Sequence, residues 1–438
     1  MDDLSHLVPN LGISQEGTTA VEDVPQVAFQ GGRRTPNALM FAFYFPPCIE
    51  SGARRPFRFV RYLQQFGYIT HVITAKPTSQ DLVWTHVSAA PAAIPSRKAM
   101  IGSRAAAMLQ RLLPYNDQLP WVAHAVGEAE KVIARNRPSV LLSTSPPVAT
   151  HLAAWIVSRR YRIPWIADFR DPLYGNPSRS RKWGWIWDMP LERLLISDAA
   201  AVIANTDTAA EMLKQRYPVH RDKIHIIWNG YDPEEALSAR PIPTRRYRLM
   251  VHAGSLYDQR HPSLLLATLD RLIARRALDS EKIRLRLIGE FYRNDPWVQQ
   301  SKFEDFIRIG CVEHSHGAVP AAEAIREMTE ADFLLLLDLH HRGRGIQVPA
   351  KIFEYIQIGR PILVYTNRNS PVERILANSG IRHVCIYPES SAEEMDAAVL
   401  RFLEAPSTAD RASEWFRQQF DGRAQTGTLA AILNAVSV

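Results

Sequence analysis

Lys351 and Glu354 stand one helical turn apart in PAKIFEYIQIGRPIL, residues 349–363. Pro349 suits a first helical position and Gly359 a C-terminal cap, so a short helix runs into a strand opened by Pro361. A lysine in the first turn faces the positive end of the backbone dipole, and lysine before glutamate is the poorer order for an intrahelical pair. Two readings follow. Either the two side chains form a weak ion pair, or an anion docks at the helix start while the carboxylate one turn on accepts hydroxyls. A nucleoside diphosphate supplies both, phosphate for Lys351 and ribose for Glu354. A second cation comes from HAGSLYDQRHP, residues 252–262, where Gly254 ends a strand, Ser255 follows, and Arg260 precedes a helix. Arg260 pairs with a phosphate or remains a solvated loop arginine. In the first half of the chain, PPCIESGARRP (46–56) repeats the arrangement, with Gly52 permitting close backbone approach beside Arg54 and Arg55. DFRDP (168–172) offers Asp168, Arg170 and Asp171, either as an internal ion-paired turn or as cleft side chains, with Asp171 the candidate for positioning hydroxyls.

Loops of this kind are positioned by parallel α/β layers, in which ligands bind beyond the carboxyl ends of the strands. From Asn37 onward strand and helix patterns alternate. NALMFAFYF, ITHVITA, SVLLST, IPWIAD, AAVIANT and KIHIIW read as strands of a first sheet. A polar, proline-containing linker, NGYDPEEALSARPIPTRRYR, follows, and then RLMVHAG, IRLRLIG, IRIGCV, ADFLLLLD, PILVYT and HVCIYP read as a second. The expected division is a flexible extension over 1–36, one Rossmann-like domain over 37–240, another over 248–408, and a helical segment over 409–438 that packs across the junction. At 438 residues the chain is too long for one core, and two doubly wound sheets in tandem fit its length.

DFRDP, NGYD, GSLYDQR and PAKIFEYIQIGRPIL, in this order across both halves, resemble the bacterial family 4 glycosyltransferases. The resemblance spans about residues 37–435. It implies the GT-B fold, α/β with two facing Rossmann-like domains and a C-terminal helix crossing back to the first. It also implies a nucleotide-sugar donor on the second domain and an acceptor on the first. Glu354 matches the second acid of the family's E-x7-E pattern, which contacts the donor ribose, and Arg260 matches the basic residue on the pyrophosphate. Lys351 matches the lysine of a P-x-K-x-F-E-Y variant, and Ser255 stands where a second arginine is common. The first acid of E-x7-E falls at Ile346, so backbone amides of GRGIQV are the expected substitutes. Gly52, Asp168, Arg170 and Asp171 match recurring active-site loop positions on the acceptor side. The family is retaining and no nucleophile is assigned. Cleavage of a glycosyl phosphate makes stabilisation of the departing phosphate the main electrostatic task, which suits Arg260, Lys351 and helix N-termini. A nucleotide-sugar epimerase on the same fold, releasing free product, is the alternative enzyme.

Composition narrows the other classes. Hydrophobic residues make up 46% and charged residues 22%, ordinary for a globular chain. No apolar run is long enough to span a bilayer, and the N-terminus lacks an apolar signal region. Three widely separated cysteines fit a reducing cytoplasm. No metal is expected, since no D-x-D stands where it would hold one on a diphosphate, and HSH (314–316) and HH (340–341) read as loop histidines. No cofactor is expected either, the nucleotide-sugar being a substrate. Walker A and G-x-S-x-G patterns are missing. The net charge of +7 calls for an anionic partner. Nucleic acid is disfavoured, because aromatics do not interleave with basic residues on an open face. A non-catalytic basic protein on a membrane or nucleic acid is the remaining alternative. Two stretches mix basic and apolar residues. SRKAMIGSRAAAMLQRLLPY (96–115) is a core helix or an interfacial one, and SRSRKWGWIW (178–187) combines Arg179, Arg181 and Lys182 with Trp183, Trp185 and Trp187. The expected location is therefore peripheral, on the cytoplasmic face of the membrane, beside a polyprenyl-diphosphate-linked or saccharide acceptor.

Overall fold

The computed structural model describes residues 36–48, 51–75, 85–89, 119–176, 184–256, 260–291, 295–315, 317, 319–338 and 345–437. The N-terminal extension, the 96–115 stretch and His340–His341 lie outside them. Strands β1 (Asn37–Phe41), β2 (Ile69–Thr74), β3 (Thr85–Ala89), β4 (Val140–Ser145), β5 (Trp165–Phe169), β6 (Ala201–Ala204) and β7 (Ile224–Ile226) form one sheet. Its order is β3-β2-β1-β4-β5-β6-β7, and every pairing is parallel. Strands β8 (Arg248–Ala253), β9 (Ile283–Ile288), β10 (Val312–His314), β11 (Phe333–Leu337), β12 (Ile362–Tyr365) and β13 (His383–Ile386) form the second, in the order β10-β9-β8-β11-β12-β13, again all parallel.

Apolar side chains sort themselves by the two-residue period of a strand buried on both faces. Phe333, Leu335 and Leu337 of β11 point into one core layer, while Leu334 and Leu336 point into the other. In β1, Leu39 and Phe41 face one layer and Ala38 and Met40 the opposite one. Each sheet is thus a doubly wound lobe with a topological switch point, between β1 and β4 in the first and between β8 and β11 in the second.

Several details depart from the sequence pattern. IRIGCV is not one strand: Phe303–Arg308 is helical, and β10 begins only at Val312. β3 is an additional short edge strand. The helix after the Gly52 loop starts at Arg54, so both arginines sit in its first turn rather than in the loop. The Lys351–Ile358 helix starts two residues past Pro349 and ends, as the glycine suggests, with Gly359 in the left-handed region at φ 83°. A Cβ on Gly359 would also lie 2.2 Å from the Asp410 carbonyl oxygen.

The chain passes between lobes twice. After β7 it runs through residues 229–247 into β8, and it returns between the Glu414–Phe420 and Gly422–Val436 helices. Phe416 and Phe420 belong to the second lobe's core, whereas Leu429, Ala430 and Leu433 complete the first lobe's. The two crossings are bonded to each other: Tyr231 N–H donates to Phe420 O at 3.1 Å and Gly422 N–H to Tyr231 O at 3.0 Å. Gly230 is needed there, because a Cβ would come within 2.2 Å of the Phe420 oxygen.

Candidate functional site

The two switch points face a common cavity of about 760 Å³. Its first-lobe wall includes Gly52, Arg54, Arg170 and Asp171, and its second-lobe wall includes Arg260, Gln347 and Glu354. Of the nine residues singled out from sequence, Gly52, Arg170, Asp171, Arg260 and Glu354 therefore meet at one surface. Asp168, Gly254, Ser255 and Lys351 are not part of that lining, although Lys351 reaches it through Glu354.

Asp168 is the floor beneath the cavity. It ends β5, is fully buried, and takes a two-pronged contact from Arg55, Nε to Oδ2 at 3.0 Å and Nη2 to Oδ1 at 2.8 Å. Thr144 Oγ1 donates to it as well, at 2.8 Å. Burial alone would raise its pKa, but Arg55 and these hydrogen bonds outweigh burial and hold it below the usual carboxylate value. Arg55 also donates to the carbonyls of Ile227 and Trp228, both at 2.8 Å, so it fastens the first helix to the chain leaving β7. In DFRD, the ion-paired turn describes Asp168.

Arg170 is spent on backbone. Its guanidinium donates to Ser145 O at 3.0 Å, Pro146 O at 2.6 Å and Gly52 O at 2.8 Å, tying the loop after β4 to the loop after β1. Gly52 owes its identity to this contact rather than to an unusual φ, since a Cβ would lie 3.0 Å from Arg170 Nη1 and 3.2 Å from Tyr44. Asp171, by contrast, looks into the cavity, where its Oδ1 accepts from Gln347 Nε2 of the opposite lobe at 2.7 Å.

Glu354 answers the question posed by the helix start. Lys351 Nζ donates to Glu354 Oε2 at 2.6 Å, so the intrahelical pair does form. The other carboxylate oxygen is met by Arg54 from the first lobe. Burial pushes this carboxyl up, but the two cations prevail and its pKa lies below the ordinary value, leaving a carboxylate at neutral pH. His252, two residues before Gly254, is buried with Nδ1–H donating to Leu335 O at 3.0 Å. Burial lowers its pKa to about 4, so the ring is neutral at pH 7 and adds no charge near Arg260.

The lobes are joined across the cleft by further contacts that no local pattern announces. Thr206 Oγ1 donates to Ile346 O at 2.9 Å, at the position where the E-x7-E pattern would carry an acid. Arg374 pairs with Asp207 at 2.7 Å. Gln347 and Arg54 were legible only as members of a loop and of an arginine pair; their partners lie 176 and 300 residues away in sequence. Among the described residues no group of three or more His, Cys, Asp or Glu side chains is placed to hold a metal ion.

Residues 52–235, nearly the whole first lobe, match the family model described as Glycosyltransferase Family 4. No curated protein sequence matches the chain. Solved structures share its fold at low identity. Sucrose-phosphate synthase from Thermosynechococcus elongatus is 12% identical with a TM-score of 0.62, over 92% of this chain and 97% of that one. HepE of Anabaena, solved in complex with UDP, is 14% identical with a TM-score of 0.58, over 91% and 100%. The UDP-GlcNAc 2-epimerase from Methanocaldococcus jannaschii is 12% identical with a TM-score of 0.52, over 91% and 99%. These likenesses establish the two-lobed GT-B architecture.

Proposed function

We propose that this chain, whose residues 52–235 match the Glycosyltransferase Family 4 model and which has the GT-B fold, transfers a sugar from a UDP- or GDP-sugar to a lipid-linked or saccharide acceptor. The reading fits bacterial surface or exopolysaccharide assembly. The observation that carries it is the single cavity to which the second lobe brings Arg260 and Glu354 and the first lobe brings Asp171. Glu354, ionised and set one turn into its helix, accepts the ribose hydroxyls, and Arg54 must yield that carboxylate when the donor enters. Arg260, with Lys351 behind Glu354, draws the diphosphate and stabilises the negative charge that grows on it as the glycosyl bond breaks. Asp171, facing the same space from the acceptor lobe, orients the reacting hydroxyls once Gln347 releases it. The transfer is retaining and needs no divalent metal, the cations of the second lobe taking that role. HepE, a protein of this fold, has been solved with UDP-glucose, which supports a nucleotide-sugar donor here.

Calorimetry with UDP and GDP tests the site. Glu354→Ala and Arg260→Ala should each weaken the better nucleotide roughly tenfold, the loss of one charge-assisted contact. Unchanged affinity in both folded variants would place the donor elsewhere. Activity persisting in excess EDTA is the expected result for a metal-independent transfer, and its loss would overturn that part of the reading.

The reading includes reversible attachment to an anionic membrane. No helix among the described residues is long and apolar enough to cross one. The Gly184–Asp198 helix leaves Ile186, Trp187, Met189 and Leu194 exposed, directly after the basic run that ends at Lys182. Arg179, Arg181, Lys182 and Trp183 lie outside the described residues. Apolar rings at headgroup depth beside basic charge suit such a surface, at about 1 kcal/mol per basic residue. Flotation with phosphatidylglycerol liposomes should occur at low salt and weaken at high salt. Flotation unaffected by Trp187→Ala with Ile186→Ser would show that this helix is not the contact.

A further inference from the structure

Behind the segment that presents Arg260 to the cleft, the second lobe holds a separate cavity of about 690 Å³. One side is made by His261 with the first turns of the Ser263–Ala274 helix, the other by the Pro296–Gln300 helix and the turn that follows it. None of its lining residues lines the cleft between the lobes. Its size is that of a small-molecule site.

Three polar atoms on this wall are buried and have no hydrogen-bond partner among the described residues: Ser263 Oγ, Trp297 Nε1 and Ser301 Oγ. Each such orphan costs roughly 1–3 kcal/mol, and buried polar groups are normally satisfied. Three around one space, contributed by two separate elements, point to a ligand that satisfies them together. Trp297 is only 4% exposed, and its indole is held in place, stacked on His261 with 3° between planes and edge-on to Phe303. Its N–H can only donate, so the ligand must bring an acceptor there, while the two serine hydroxyls can give or take.

Charge selects further. Lys302 is neutralised by Asp270 at 2.8 Å, and Asp295 also stands on the wall, so the described lining residues offer no surplus positive charge to an anion. Leu264, Ala267 and Pro296 supply apolar surface between the polar groups. A molecule with hydroxyls around its edge and an apolar face meets all of these demands. We propose that this cavity is a second, non-catalytic site for a neutral mono- or disaccharide. Arg260 lines the cleft and His261, its chain neighbour, lines this cavity, so occupancy of one site acts on the other through a single short segment. Linkage then requires the effect to be mutual.

The test is saturation-transfer NMR and calorimetry on the full chain with glucose, galactose, N-acetylglucosamine and maltose, with and without saturating UDP. At least one sugar should bind with UDP present, and maltose binding more tightly than the monosaccharides would identify a glycan segment rather than a free sugar as the occupant. The bound sugar should shift UDP affinity at least twofold. The pair Ser263→Ala with Ser301→Ala, and separately Trp297→Phe, should weaken the sugar at least fivefold while melting at or above the wild-type temperature, since each removes an unpaired polar atom. Failure of all four sugars to bind at 50 mM, binding abolished by UDP, or binding unchanged in both variants would overturn the site. A bound sugar without effect on UDP would overturn the coupling.

Discussion

Arg54 and Arg55 are adjacent in the chain and each pairs with a carboxylate, yet the two pairs do opposite kinds of work. The Arg55–Asp168 pair lies under the cleft with side-chain exposures of 3% and 0%, completed by Thr144 and two backbone carbonyls. The Arg54–Glu354 pair spans the mouth of the cleft, where the arginine is 59% exposed. Water cannot replace either partner in the first, so removing one leaves a buried charge. Water or a ligand replaces Arg54 readily, because its guanidinium stands in solvent and Lys351 keeps the part-buried Glu354 carboxylate paired. The difference teaches that a carboxylate's use follows from what can compete for it. Asp168 has no competitor and holds the fold, whereas Glu354 has one at hand and is free to exchange it.

The comparison breaks first, and most visibly, at Asp168. Asp168→Asn should destabilise the chain by about 3–5 kcal/mol, because Arg55 keeps its charge and loses its counter-ion. Chemical denaturation measures this; a variant with wild-type stability but lost turnover would move Asp168 from the floor into the chemistry.

Next in size is the acid limb of stability. Asp168 has a depressed pKa in the folded state, so its contribution is complete above the ordinary carboxylate value near 4 and is lost as pH falls through the folded value. Two buried histidines act earlier. Burial lowers His151 to about 3 and His252 to about 4, while in the unfolded chain both take a proton near pH 6.5. The unfolded state then binds more protons over that interval, and stability falls as pH drops from about 6.5 towards 4, before Asp168 titrates. Melting temperature against pH should show both phases, and Asp168→Asn should diminish the lower one, leaving there the share of Glu354, whose pKa is also depressed. A flat profile between pH 6.5 and 4.5 would contradict the burial of the two rings.

A smaller effect on stability, but a large one on rate, is expected at Asp171. Asp171→Asn should lower kcat by roughly 10- to 100-fold, the cost of mispositioned reacting groups, and leave UDP affinity within twofold. Parallel losses in both would assign Asp171 to donor binding. Smallest of all is Arg54→Gln, which should change stability by less than about 1 kcal/mol, since the arginine lost is exposed and Lys351 still pairs with Glu354. A loss comparable with that of Asp168→Asn would erase the distinction between mouth and floor.

These two pairs also mark what could be read from sequence. Unbroken apolar runs such as Phe333–Leu337 declare buried parallel strands, and the helix cap at Gly359 follows from residue type, because both are set by neighbours in the chain. β10 departs from the sequence pattern because Ile307 and Arg308 have the apolar–basic alternation of an edge strand while finishing a helical turn. Lys351 and Glu354 were found through a spacing, and their ion pair with each other is local. Arg54 on Glu354 and Gln347 on Asp171 have no such trace, since a contact between lobes depends on how two sheets face each other and not on either strand's pattern.

The bonded ribbon formed by Tyr231 with Phe420 and Gly422 has a mechanical consequence. Two independent tethers would let the lobes slide and shear as well as rotate. Tethers laced together behave as one pin, and a door hung on one pin swings without drifting along its frame. Any change in the angle between the lobes would therefore be carried by this one ribbon, which fixes where along the cleft the face bearing Asp171 meets the face bearing Glu354.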